Sequence, residues 1–350
     1  MNRNDHRWAL VLAAGEGQRL RRLTTTWTGV AVPKQFCSLE YGPSLLEQAV
    51  QRATSAAATE RICAVVAAEH RQWWMEQLAG LPSANIVVQP RNRGTANGIL
   101  LPLLRILERD PEARITIFPA DHYVRDEAQL GRSLRLAASL PSGEGAPEDD
   151  ILLLGIVPRG PDTELGYIVP RIAPQSPAAE GVVERLEVKR FVEKPPAALA
   201  SALLAQGALW NAFIIAAGGR ALLGLFERRC PDLVAAIRQA LRYDGAATGP
   251  EGGASDAETL DSGPALSRLY EQIPALDFSR DVMEGREREL RVLAVPECGW
   301  SDLGTPQRVA ETLRQPRGTS RAERAVRIGT RAVLSLAEQY RRLHGAPASA

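Results

Sequence analysis

The sequence predicts an α/β protein built on an open, mostly parallel sheet with helices on both faces. Three observations predict it. Short apolar runs of strand length alternate with helix-length patterns. A helix start carries its own capping signature, and the chemically suggestive motifs all follow apolar runs, where ligands bind in such sheets.

In chain order, Trp8–Leu12, Ile62–Ala67, Asn85–Val88, Ile115–Phe118 and Ile151–Val157 read as buried parallel strands. Between them Ser44–Thr54, Glu69–Leu78 and Thr95–Arg109 read as helices, the first opened by the capping box Ser44-Leu45-Leu46-Glu47. Leu293–Val295 is a later apolar strand. Pro141–Asp150 and Asp244–Gly263, rich in Gly, Pro, Ala, Ser and acids, read as insertions. Residues 1–306 thus form one domain, and 307–350 a tail that is Arg-rich and helical over Arg321–Leu343 before fraying at Gly345–Ala350. No repeat of 20–50 residues is visible.

The 350 residues are 45% hydrophobic, enough for a large core. Lys and Arg total 42 against 41 Asp and Glu, so the chain lacks the positive field of a nucleic-acid binder. Its apolar stretches are too short to span a bilayer, and Met1–Arg7 is polar with no apolar leader after it. Cys37, Cys63, Cys230 and Cys298 form no C-x-x-C pair, which argues against a disulfide framework or zinc site. We expect a cytoplasmic protein acting on small molecules, without nucleic acid or membrane, and leave self-association open.

The first motif is Ala13-Ala14-Gly15-Glu16-Gly17-Gln18-Arg19, followed by Pro33-Lys34-Gln35-Phe36. Small residues after a strand let backbone N–H groups approach a phosphate, and Arg19 and Lys34 can close over it. Leu20 stands where a dinucleotide fingerprint needs a third small residue, and no Gly-Lys-Ser/Thr follows as a P-loop requires. Asp121, in Pro119-Ala120-Asp121-His122, and Asp302, in Trp300-Ser301-Asp302-Leu303-Gly304, are strand-end carboxylates that could share one divalent cation. Either could equally be a turn aspartate. Glu193-Lys194-Pro195 offers an acceptor for hydroxyls beside a cation for a phosphate, and Asn211 offers an amide.

Taken together, the order of these motifs resembles the sugar-phosphate nucleotidyltransferases, nearest to the mannose-1-phosphate guanylyltransferases (GDP-mannose pyrophosphorylases). The series is the glycine loop, Pro33-Lys34-Gln35-Phe36, Gln89-Pro90 with Arg93-Gly94-Thr95-Ala96, Pro119-Ala120-Asp121-His122, Gly166-Tyr167-Ile168, Phe191-Val192-Glu193-Lys194-Pro195, Trp210-Asn211 and Trp300-Ser301-Asp302. It runs from about Trp8 to Pro306. The resemblance implies a Rossmann-like nucleotidyltransferase fold and a Mg²⁺-dependent attack of a sugar 1-phosphate on the α-phosphorus of a nucleoside triphosphate. By matched position it implies that Ala13, Ala14, Gly15 and Gly17 cradle the nucleotide phosphates, while Arg19, Lys34 and Asp121 serve catalysis. It implies further that Asp121 and Asp302 hold the metal, that Gly166, Glu193 and Asn211 position the hexose, and that Lys194 takes its phosphate.

The chain also departs from the family pattern. Ala13-Ala14 and Gln18 replace the usual glycines and threonine, and Gly94, Asn97 and Gly98 alter the segment expected at the base with Thr95. Gln89 can accept from guanine N1–H and N2–H₂, yet an amide reads uracil or thymine as well. A uridylyl- or thymidylyltransferase, or an inactive sugar-nucleotide-binding regulator, are therefore alternatives; the missing third glycine opposes an oxidoreductase. We expect no counterpart of the cupin-like isomerase domain of some bifunctional relatives, and hence one activity.

Overall fold

Val, Ile, Leu and Ala dominate the first strands, and such runs are stable only where both faces of a sheet are covered. A computed structural model describes residues 5–139, 150–172, 185–247, 262–314 and 334–344. In it β1 (Arg7–Ala13) lies parallel between β2 (Ile62–Ala67) and β4 (Arg114–Pro119), and β3 (Ile86–Gln89) lies parallel to β2. All six residues of β2 are buried. Alternation along β1 feeds two cores. Ala9, Val11 and Ala13 face α1 (Leu45–Ala53), α2 (Arg71–Gln77) and α4 (Glu127–Ser139). Trp8 and Leu10 face α3 (Gly94–Arg109). The capping box of α1 is formed: Glu47 N–H donates to Ser44 Oγ at 3.1 Å, and Ser44 N–H donates to Glu47 Oε2 at 2.7 Å.

The second half departs from the expected open, mostly parallel sheet. It contains β5 (Ile151–Ile156), β6 (Tyr167–Pro170), β7 (Leu186–Val192), α5 (Ala197–Ala205), β8 (Leu209–Gly218), α6 (Gly219–Arg229), α7 (Pro231–Ala247), α8 (Pro264–Gln272), a π-helix (Phe278–Met283) and β9 (Leu290–Val295). Here only β5 and β9 pair parallel, while β8 runs antiparallel to β4, β5 and β6. The strand order is β3-β2-β1-β4-β8-β5-β9-β7-β6, and β6 also bonds β8, so the last five strands return on themselves. The length of β8 permits this. Residues Ile215–Gly218 pair with β4 and residues Leu209–Trp210 pair with β6.

Within the two expected insertions, residues 140–149 and 248–261 lie outside the described residues, as do 315–333 and the expected frayed end 345–350 of the tail. The start of the second insertion is helical instead: Asp244 belongs to α7, and its carboxylate accepts from Ala265 N–H and Leu266 N–H at the start of α8. The described part of the tail joins the core. After α9 (Pro306–Arg314), α10 (Leu336–His344) begins with fully buried Leu336 and Ala337. Leu336 N–H donates to Ser38 O at 2.9 Å, and Ala337 N–H donates to Leu39 O at 2.8 Å.

Candidate active site

At the carboxyl end of β1 the chain enters the glycine loop. Among the described residues, the N–H groups of Gly15, Glu16 and Gly17 have no protein acceptor. Of these, Gly15 lines the cleft, and free donors just past a strand end suit anionic oxygens. Gln35 holds the loop from behind, donating through Nε2 to Ala13 O at 2.9 Å and Gly15 O at 2.7 Å. Gly17 has φ 62°, and a Cβ there would lie 2.9 Å from Lys34 N, so the loop can sit against the Lys34 segment only with glycine.

Lys34 is buried, and its ammonium joins two distant strand ends. Nζ lies 2.9 Å from Asp121 Oδ2 and donates to Asp302 O at 2.6 Å. Burial pushes the Asp121 carboxyl up, but the Lys34 charge and hydrogen bond outweigh it and hold the group below the usual aspartate range. The Asp302 carboxylate accepts from Arg308 Nη1 at 2.5 Å and from Gly304 N–H at 3.1 Å, and Arg308 also pairs with Asp162. Burial takes His122 down to about 4, so it is neutral at pH 7; its ring meets Trp300 edge-on at 5.2 Å. Arg19 reaches across to Glu164, with Nη1 2.6 Å from Oε2.

The other end of the cleft is built differently. Gly166 O accepts from Asn211 N–H at 2.8 Å, and Asn211 Oδ1 accepts from Phe213 N–H at 3.0 Å. Asn211 lines the cleft, with its oxygen engaged in this way. A Cβ on Gly166 would stand 2.5 Å from Glu193 Oε2, which explains glycine there. Glu193 Oε2 has no hydrogen-bond partner. Burial, aided by Asp277, raises its carboxyl to about 7. Lys194, Phe213 and Leu303 have φ of 46°, 55° and 46°, so left-handed non-glycine backbone clusters beside Glu193, Asn211 and Asp302.

One open cleft is lined by Ala14, Gly15, Arg19, Thr95, Asp121, Gly166, Glu193, Lys194, Asn211 and Asp302. Lys34 joins it through both aspartates. Three expected residues sit elsewhere. Ala13 is the buried last residue of β1, and Gly17 packs behind the loop on Lys34. Gln89 ends β3 and is fully buried, its Nε2 3.3 Å from where a Gly98 Cβ would be, with both amide atoms unpaired. Thr95 lines the cleft, but its Oγ1 is occupied by Phe278 N–H at 2.8 Å. Sequence reasoning missed Gln35, Glu164, Asp277, Ser279 and Arg308. Gln35, next to Lys34, carried the only local signal.

The family model described as "Nucleotidyl transferase" matches residues 8–316. The chain is 31% identical over 305 residues to the "Xanthan biosynthesis protein XanB" of Xanthomonas campestris pv. campestris (strain B100), covering 85% of this chain and 57% of that protein. It is 30% identical over 305 residues to the "Mannose-1-phosphate guanylyltransferase" of Escherichia coli (strain K12), covering 85% and 58%. The chain therefore spans somewhat over half the length of these curated relatives. Among solved structures, a "mannose-1-phosphate geranyltransferase" of Thermus thermophilus superposes with a TM-score of 0.69 at 28% identity, over 88% of this chain and 79% of that one. The chain belongs to the nucleotidyl transferase family.

Proposed function

We propose that this member of the nucleotidyl transferase family joins a hexose 1-phosphate to a nucleoside triphosphate, with mannose 1-phosphate and GTP as the preferred pair. One observation carries the reading: Lys34 ties Asp121 to the Asp302 turn in the same cleft that holds the free loop N–H groups and the Glu193–Asn211 pocket. The first set suits phosphates, and the second suits a polyhydroxylated ring. In the reaction a non-bridging oxygen of the sugar phosphate forms a bond to the α-phosphorus. The α–β bridging P–O bond breaks, and pyrophosphate leaves with its electron pair. The attacking oxygen is already ionised, so no general base is needed, and catalysis is alignment and charge neutralisation.

In this scheme the glycine-loop N–H groups hold the triphosphate, and Arg19 and Lys34 stabilise charge around the α-phosphate and pyrophosphate. Glu193 and the Asn211 amide orient the sugar, and Lys194 takes its phosphate. Asp121 and Asp302 fit Mg²⁺ as hard oxygen donors on one cleft. Among the described residues no group of three or more His, Cys, Asp or Glu could hold a metal, so substrate phosphates would complete its shell. When bound, Mg²⁺ would neutralise phosphate charge. Support for guanine is the likeness to the mannose-1-phosphate guanylyltransferase of Escherichia coli; Gln89, fully buried and off the cleft, adds none.

The test is a matrix of four nucleoside triphosphates against several hexose 1-phosphates, scored by pyrophosphate release. GTP should exceed UTP and dTTP in kcat/KM by up to about 10⁴-fold, because a wrong base leaves buried polar groups unpaired. Equal rates with GTP and dTTP remove the guanylyl assignment. No turnover with any pair, together with tight GDP-mannose binding, makes the protein a regulator.

A further inference from the structure

The sugar end of the cleft contains a second buried polar group without a partner. Ser279 is 1% exposed, lines the cleft, and its Oγ makes no hydrogen bond. Leaving a hydroxyl buried and unpaired opposes folding unless a ligand later satisfies it. Nor is the group free to swing out with its backbone. Phe278 N–H is bound to Thr95 Oγ1, Leu276 N–H to Arg93 O at 3.1 Å, and Glu284 N–H to Ser279 O at 2.9 Å. Asp277 accepts from Arg280 N–H at 3.0 Å and caps the π-helix in which Ser279 sits.

Ser279 lies beside the Glu193 carboxyl and favours its charged form, yet Glu193 Oε2 and Ser279 Oγ both remain unpaired. Their capacities are complementary. The carboxylate only accepts, whereas a serine hydroxyl can also donate. A ring hydroxyl placed between them donates to Glu193 Oε2 and accepts from Ser279 Oγ–H, satisfying all three groups. The Gly166 wall leaves room for this, since a side chain there would occupy the space at Glu193 Oε2.

We infer that Ser279 is a sugar-specificity residue that, with Glu193, brackets one ring hydroxyl of the hexose 1-phosphate. The inference rests on the sugar-phosphate reading above. It is tested by measuring kcat/KM with GTP for the hexose 1-phosphate the wild type prefers and for its monodeoxy analogues, in the wild type and in Ser279→Ala. With the parent sugar, Ser279→Ala should lose about 10-fold, with the KM for GTP unchanged. With one deoxy analogue, the one lacking the bracketed hydroxyl, the loss should vanish; with the others it should persist. Equal loss on every analogue, or none on the parent sugar, overturns the assignment. If the wild type turns over no hexose 1-phosphate, the functional reading itself fails and this inference falls with it. Indifference of Ser279→Ala in an active enzyme sinks only the inference.

Discussion

The two ends of the cleft solve the problem of waiting for a ligand in opposite ways. At the phosphate end each charged side chain named above is paired within the protein: Lys34 with Asp121, Arg308 with Asp302 and Asp162, and Arg19 with Glu164. At the sugar end Glu193 Oε2 and Ser279 Oγ have no partner. For the buried Lys34 and the mostly buried Arg308 the difference follows from cost. A lone buried ion is far more expensive than a lone buried hydroxyl or a carboxyl that can take up a proton. On the proposed function, cations that meet a polyanion would be stored as ion pairs that the ligand must exchange, whereas hydroxyl-binding groups can be left open. On that reading, binding would be substitution at one end and addition at the other.

The largest effect should come from the paired end. Lys34→Ala removes the ammonium shared by Asp121 and the Asp302 turn, and should lower kcat by about 10²–10³-fold while the KM for the triphosphate changes less. Steady-state pyrophosphate release measures this. A change confined to KM would reduce Lys34 to a binding cation and weaken the contrast between the ends.

A smaller, pH-dependent effect should mark the open end. Glu193 has its carboxyl raised to about 7 by burial, with Asp277 and Glu284 adding to the rise and Lys194 opposing it. Its acceptor form therefore grows from about a tenth to about nine tenths between roughly pH 6 and 8. The KM for the sugar phosphate should fall up to about 10-fold over that range. In Glu193→Gln the KM should follow only the ionisation of the sugar phosphate itself, so the ratio of the two enzymes isolates the side chain. A ratio that stays constant with pH would show that the carboxyl does not titrate in the working range.

The smallest effect concerns the outermost ion pair. Arg19 and Glu164 are half-exposed, and such pairs contribute about 0.2–1 kcal/mol. Glu164→Gln should lower the KM for the triphosphate by up to about 5-fold, leaving the melting temperature nearly unchanged. A higher KM would mean that Glu164 orients Arg19 instead of competing for it.

How much of this was legible in the sequence depended on whether a residue's role is local. Strands β1 to β4 and the α1 capping box follow from apolar runs and from Ser44 with Glu47. Asp121, Glu193 and Asn211 stood out as polar residues beside strand ends. The return of β6 onto β8 was not readable, because Tyr167-Ile168-Val169-Pro170 chooses its partners over long range. A one-residue difference in β3 mattered more. With the strand ending at Gln89 instead of Val88, the amide lies beneath α3 and off the cleft surface. Arg308 and Ser279 gave no signal. One is an ordinary helix cation and the other a lone serine, and only tertiary packing places the first on Asp302 and the second beside Glu193.

The pairing of Lys34 with the Asp302 turn spans 268 residues of sequence, and the segment just after Lys34 is clamped by the start of α10. A chain emerging from the ribosome thus makes its glycine loop and its buried lysine first, and for most of synthesis that lysine lacks the carbonyl that fixes it. Contacts between such distant positions form late. Activity should therefore be a property of the nearly finished polypeptide, and a nascent chain stalled before Asp302 would hold a folded β1–β4 sheet without a working reaction centre.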